Sequence, residues 1–246
     1  MNCKGVIKLV CIMAVVATAM SFKSNTKGKF IIQFSNYVGN EKLVLDSSTY
    51  KNALGQPFTV SMFKYYISNI HLKNSNGNDY VCNNGYFLVN EEDTNSKQIV
   101  LNDVPNANYS SISFILGVDS IHNCNGAQAG ALDPANGMFW AWNTGYIFLK
   151  FEGNSPASHS NGNTLAFHIG GYKQPANCIR TVTLGIKSFA IKATDNQIST
   201  LNLKADVLEL FKTPVNIDFS KTSSVIDFHN AEMIADNYIN MFSVKQ

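Results

Sequence analysis

Ser111-Ile112-Ser113-Phe114-Ile115-Leu116-Gly117-Val118 is the stretch whose reading decides the fold class. In an extended chain successive side chains point to opposite faces, so Ile112, Phe114, Leu116 and Val118 share one apolar face. Upstream, Phe30, Ile32 and Phe34 alternate in the same way. Further β-type runs lie at Leu43 to Leu45, Phe58 to Met62, Lys64 to Lys73, Tyr86 to Val89 and Gln98 to Leu101. Downstream they continue at Tyr146 to Phe151, Thr164 to Ile169, Thr181 to Ile191 and Thr200 to Leu210. Turns rich in Asn, Gly and Ser separate them, as in Asn74-Ser75-Asn76-Gly77-Asn78. This spacing predicts an all-β fold: a single antiparallel β-sandwich of roughly 8–10 strands. A short C-terminal helix completes it. Asn230 caps the helix, Glu232 sits in its first turn, and Ile234, Tyr238 and Met241 form its apolar stripe.

Lys4 and Lys8 precede an apolar run from Leu9 to about Met20 that ends in Ala17-Thr18-Ala19. A basic start, a short apolar core and small residues at the end read as a cleaved signal peptide. The run is about half of what a membrane span requires. Residues 1–20 are therefore expected to be removed and 21–246 to form one exported domain, periplasmic or secreted, with no membrane span left. Loss of Lys4 and Lys8, with no acidic residue, takes the formal charge from +2 to zero. A neutral chain with 15% charged residues lacks the basic patch that nucleic acid demands. Three of five cysteines stay after cleavage: Cys82, Cys124 and Cys178. An odd number allows at most one internal disulfide. Their spacings of 42 and 54 residues match no compact zinc motif.

The least strand-like segment, Asp119 to Asn136, leads directly into Gly137-Met138-Phe139-Trp140-Ala141-Trp142-Asn143-Thr144-Gly145-Tyr146. A long ordered loop is uncommon without a role. Both tryptophans of the chain stand here, two residues apart, so an extended backbone puts Trp140 and Trp142 on one face with Met138 beside them. No G-x-S-x-G, Walker A loop or H-E-x-x-H occurs. The histidines are the better lead, because neutral imidazole is a common transition-metal ligand. His168 points away from the face shared by Leu165, Phe167 and Ile169; His71 ends a long strand; His122 lies in the loop. At any one position an ordinary hydrogen-bonded histidine is the commoner case.

Gly117-Val118-Asp119-Ser120, Gly126 to Pro134, Met138 to Tyr146 and Phe167-His168-Ile169-Gly170-Gly171 together resemble the MbnP-like family. Tyr65 to Ile70 and the C-terminal Ile234-Ala235-Asp236-Asn237-Tyr238 with Met241-Phe242-Ser243 fit the same pattern, in order along the whole mature chain. The wording Trp142-Asn143-Thr144-Gly145-Tyr146 is similar to Bacteroidetes-type members. The resemblance implies a periplasmic β-sandwich that binds copper through histidine and a tryptophan oxidised to kynurenine by a partner di-haem cytochrome of the peroxidase type. Carried over, Trp140 or Trp142 is the residue modified and His168 the matching histidine. Copper-binding members carry further histidines where this chain has Phe139 and Ser68. His71 or His122 could substitute, and Met138 offers a thioether suited to Cu(I). Cys124 and Cys178 flank that site and are the expected disulfide pair, leaving Cys82 free. The leading expectation is copper handling or delivery without catalysis. The alternative is a metal-free secreted module whose Trp140, Trp142 and Tyr146 form an aromatic platform for sugar or peptide.

Overall fold

The computed structural model describes residues 27–74, 79–140, 142, 145–191, 198–228 and 230–245; the stretch read as a signal peptide, 1–20, lies outside them. The first half comprises β1 (Lys27–Val38), β2 (Glu41–Lys42), β3 (Tyr50–Lys51), β4 (Pro57–Asn74), β5 (Tyr80–Asn90), β6 (Gln98–Pro105), β7 (Ala107–Leu116) and α1 (Ser120–Cys124). Then follow β8 (Phe139–Trp140), β9 (Gly145–Asn154), β10 (Thr164–Gly170), β11 (Tyr172–Lys173), β12 (Ala176–Asn177) and β13 (Arg180–Ile191). The chain closes with β14 (Ser199–Asp206), β15 (Ser224–Val225), α2 (Ala231–Tyr238) and β16 (Phe242–Val244). The larger sheet runs β13-β7-β4-β9-β10-β15, with β3 and β5 also on β4 and β8 on β9. The smaller runs β16-β14-β1-β2, with β6 also on β1.

The all-β class and the C-terminal helix are as expected, but strand direction is not uniformly antiparallel. β1 lies parallel to β14, and β10 parallel to β15. Alternation says which face is buried and is silent on strand direction, which long connections decide. Two expected runs, Phe58 to Met62 and Lys64 to Lys73, are one 18-residue strand, β4. The run to Leu210 stops as strand at Asp206, whose carboxylate accepts from the Leu208 amide and turns the chain into a 3-10 helix over Val207–Phe211.

Aromatic rings fill the space between the sheets. Phe34 of β1 meets Tyr65 at 6.1 Å and Phe114 at 6.2 Å, both edge-on. At the other end Phe211 meets Phe58 at 5.7 Å and Phe151 at 5.1 Å. Such pairs add roughly 0.5–1.5 kcal/mol each beyond area burial. Ile234 and Tyr238 of α2 and Met241 just past it are buried, as the stripe predicts. Asn230 caps differently from expectation: it takes a left-handed conformation with φ 62° and makes no side-chain cap bond. Glu232 instead accepts from the Asn177 amide at 2.9 Å, tying the helix start to β12. Buried Asn237 donates to the Leu210 carbonyl at 2.9 Å and the Val215 carbonyl at 2.7 Å, and accepts from the Val215 amide at 2.9 Å.

β4 positions the site. Tyr65, Tyr66, Ile67 and Ser68 are all buried, so both faces of the strand are covered here. Tyr65 faces the inter-sheet core; Tyr66 faces out, and its hydroxyl donates to the Ala131 carbonyl at 2.8 Å. The segment after β7 is what covers that outer face.

Candidate functional site

Gly117 lets the chain leave β7: its φ is +123°, and a Cβ there would lie 2.8 Å from the Phe148 ring. Asp119 then caps α1, accepting from the His122 amide at 3.1 Å. Asn123 is buried; its amide donates to the Val118 and Asp119 carbonyls while its oxygen accepts from the Tyr146 amide at 3.0 Å. Asp133 caps the 3-10 turn Pro134–Asn136, and the Tyr146 hydroxyl donates to the Leu132 carbonyl at 2.7 Å. Tyr66 and Tyr146 meet edge-on at 5.9 Å beneath this cover. The loop is thus fixed by buried polar groups.

Trp140 pairs with Gly145 across β8 and β9 and is 5% exposed. Its ring lies over Gly170, where a Cβ would stand 2.8 Å away. It meets Trp142 at 5.7 Å and Phe228 edge-on at 5.5 Å. Trp142 is 66% exposed and Met138 wholly buried. Beside them opens a mainly apolar cavity of about 390 Å³, lined among others by Asn123, Trp140, Tyr172, Lys173, Pro175 and Phe228.

Each candidate histidine faces its own carboxylate. His168 Nε2 lies 2.8 Å from Glu152 Oε1, with Lys150 Nζ 3.4 Å from that oxygen. His71 Nε2 is 3.1 Å from Asp79. His122 Nδ1 is 3.1 Å from Asp119 and 2.6 Å from the Tyr86 hydroxyl. Burial holds the His168 imidazole below its ordinary pKa; the Glu152 bond pulls the other way and the Lys150 charge reinforces burial. Burial pushes Glu152 up, but the His168 bond and Lys150 outweigh it and hold the carboxyl below its usual range. His168 and Gly170 lie two residues apart on β10, so Trp140 covers the strand end that carries His168. Among the described residues no three His, Cys, Asp or Glu side chains gather around one point, so His71, His122 and His168 do not share a centre.

All three described cysteines are free thiols, so the expected Cys124–Cys178 bridge is not formed. Cys124 is exposed, its thiol donating to the Tyr172 hydroxyl at 3.3 Å. Cys178 is buried, and burial pushes its thiol up to about 12. Sequence reasoning missed Glu152, Tyr86 and Phe228. Lys150 and Glu152 flank Phe151 on an alternating strand, yet only the pairing of His168 with Lys150 brings the carboxylate to the imidazole.

A family model described as MbnP matches residues 27–230. The chain belongs to the MbnP family. Its fold is also similar to a solved structure, "MbnP from Methylosinus trichosporium". That likeness is at 14% sequence identity with a TM-score of 0.53, over 78% of this chain and 79% of that one. No curated protein sequence matches. For this MbnP-family chain, no helix among the described residues is long and apolar enough to cross a membrane.

Proposed function

We propose that this MbnP-family chain is an exported copper-handling protein. The observation that carries the reading is the Glu152–His168 pair on the strand whose end Trp140 covers. A histidine that binds a metal typically gives its other ring N–H to a carboxylate, which fixes the tautomer and raises ligand basicity. With Nε2–H donated to Glu152, Nδ1 of His168 keeps its lone pair, and burial favours the neutral ring that a metal needs.

The donors fit a soft copper ion in kind: one imidazole from His168 and a thioether from Met138, both suited to Cu(I). They do not fill its coordination alone. Ser68 stands where copper-binding members carry a histidine, and its hydroxyl donates to the buried Gly117 carbonyl at 2.8 Å, a structural tie. The missing donor is assigned to Trp140, converted to kynurenine by a partner di-haem cytochrome; its place against Gly170 favours it over outward-lying Trp142. Copper, when bound, would be stored or passed on in this scheme. The chain's own part is to hold His168 neutral and oriented, and to keep the indole wall dry.

Protein isolated from its native host tests this by intact mass and metal content together. The expected result is the mass of one kynurenine and one copper per chain. His168→Ala should lose the copper while remaining folded, with a cooperative thermal transition. An unmodified mass with no copper in the native-host protein overturns the reading. A second reading, a metal-free module binding sugar or peptide, is favoured by the cavity of about 390 Å³ edged by Trp140, Tyr172 and Phe228. Saturable tryptophan quenching by such ligands in metal-free protein would favour it instead.

A further inference from the structure

We infer that Tyr86, Asp119 and His122 form a second metal site, one that takes an oxidised first-row transition ion through phenolate, carboxylate and imidazole donors. The site shares no residue with the copper reading at Trp140 and does not rest on it.

The backbone brings the three together. On β4, Ser68 pairs with Tyr86 of β5 on one side and with Ile115 of β7 on the other. The Ser68 hydroxyl also holds the Gly117 carbonyl, so the chain leaving β7 turns across Ser68 toward β5. Asp119 and His122, the cap and the third residue of α1, thereby come over the Tyr86 ring. The phenol and imidazole rings tilt together at 4.4 Å.

Three side-chain contacts close into a ring: Tyr86 hydroxyl to Asp119 Oδ2, the same hydroxyl to His122 Nδ1 at 2.6 Å, and His122 Nδ1 to Asp119 Oδ1 at 3.1 Å. The ionised carboxylate brings no proton, the phenol brings one, and Nδ1 brings at most one. Two protons at most serve three contacts, so one must be shared or one contact left without a proton. A cation satisfies all three at once: the phenol proton leaves to solvent as the oxygen binds, and the imidazole ligates through an unprotonated Nδ1 as its Nε2–H tautomer, any Nδ1 proton leaving to solvent as well.

The spacing suits coordination. With bonds of about 2.1 Å, donors 3.1 Å apart subtend about 95° at an ion, and donors 2.6 Å apart about 76°. Both angles suit adjacent positions around one ion, with His122 Nδ1 common to the two pairs. Tyr86 and His122 also line a cavity of about 270 Å³, with Gln128, Ala129, Ala131 and Leu132, which has room for water or an exogenous ligand beside those two donors. Two anionic oxygens and one imidazole favour a harder, oxidised ion over Cu(I), and Cu(II) heads the divalent affinity order for such a set. Fe(III) shares the preference for phenolate oxygen.

Full-length protein made without the modifying partner, stripped of metal, is titrated with Cu(II) and separately with chelate-buffered Fe(III), and its visible absorption followed. The expected result is a phenolate-to-metal charge-transfer band that saturates near one equivalent with at least one of the ions. Tyr86→Phe should abolish the band, and His122→Ala should weaken binding by at least about tenfold, the lower bound seen when even an outer-shell partner is removed. Trp140→Phe and His168→Ala should leave the band unchanged. No band with either ion, or a band that survives in folded Tyr86→Phe, overturns the proposal. Should Tyr86→Phe not fold, an unaltered band in His122→Ala overturns it equally. Failure here leaves the kynurenine and copper measurement on native-host protein untouched.

Discussion

Replacing Gly170 by alanine adds one methyl group where the structure has no room for it. The new Cβ would stand 2.4 Å from the Tyr146 carbonyl oxygen and 2.8 and 2.9 Å from two ring carbons of Trp140. Carbon atoms settle at roughly 3.5–4.0 Å, so the indole must retreat by about 0.7 Å or more. Tyr146 cannot retreat with it. Its amide is held by buried Asn123 and its hydroxyl by the Leu132 carbonyl, which pins that strand end. Overpacking of this kind costs about 1–3 kcal/mol, and a backbone contact puts the case at the upper end. In a chain of this size 1 kcal/mol moves the melting midpoint by roughly 2–4 °C, so Gly170→Ala should melt about 6–12 °C lower. Trp140, at 5% exposure, should show red-shifted emission as its ring moves outward. Gly185 is the control, because a Cβ there meets nothing within 4 Å and its φ is not positive; Gly185→Ala should melt within about 2 °C of the parent. A Gly170→Ala midpoint within about 2 °C of the parent, with unchanged emission, would refute the packing argument.

Two further outcomes follow from the geometry. The His168 pKa is depressed on folding, so its contribution is present above about pH 6.5 and is lost as pH falls below that value. The Glu152 pKa is depressed too, and its contribution is lost as pH falls through the carboxylate range. Melting midpoints should therefore decline on acidification from pH 7, and His168→Gln should flatten the upper part of that decline; a wild-type profile in the variant would contradict the assignment. Asn237→Ala strips the buried Leu210 and Val215 backbone groups of their partners, and should cost about 3 kcal/mol or more in a urea titration at unchanged slope. A cost below about 1 kcal/mol would mean those groups find other partners.

Much of the fold was legible because it rests on alternation. Ile112, Phe114 and Leu116 face the core as their spacing requires, and so do Phe30, Ile32 and Phe34. Strand direction was not legible: nothing local to Phe30–Phe34 tells it to run alongside Leu201 and Leu203 in the same sense. The length of β4 was hidden for another reason. Tyr65 to Ser68 are buried on both faces, which erases the period-2 signal in the middle of the strand. Loop chemistry was half legible. His122 stood out in the sequence and Asp119 marked the start of its loop, but Tyr86, more than thirty residues earlier, joins them only through the register of β5 on β4.

The stretches that carry the family resemblance do mainly structural work. Asp133 caps a turn, Tyr146 ties Leu132, Asn237 staples Leu210 to Val215, and Ser68 holds Gly117. They fix the cover over the larger sheet and the place of the helix, and so specify a scaffold. Chemistry is then set by what the scaffold puts beside each imidazole. All three candidate histidines have a carboxylate, which serves equally as the outer half of a metal site or as a plain surface tie. What differs is the third group. His71 has Asp79, whose other oxygen is already taken by the Asn74 amide, at a half-exposed edge. His168 has the covered strand end under Trp140, and His122 has the Tyr86 phenol. A carboxylate and an imidazole alone do not select an ion, whereas a phenolate or an oxidised indole beside them does. On the two proposals above, Trp140 and Tyr86, more than any histidine, decide which ion each place would take.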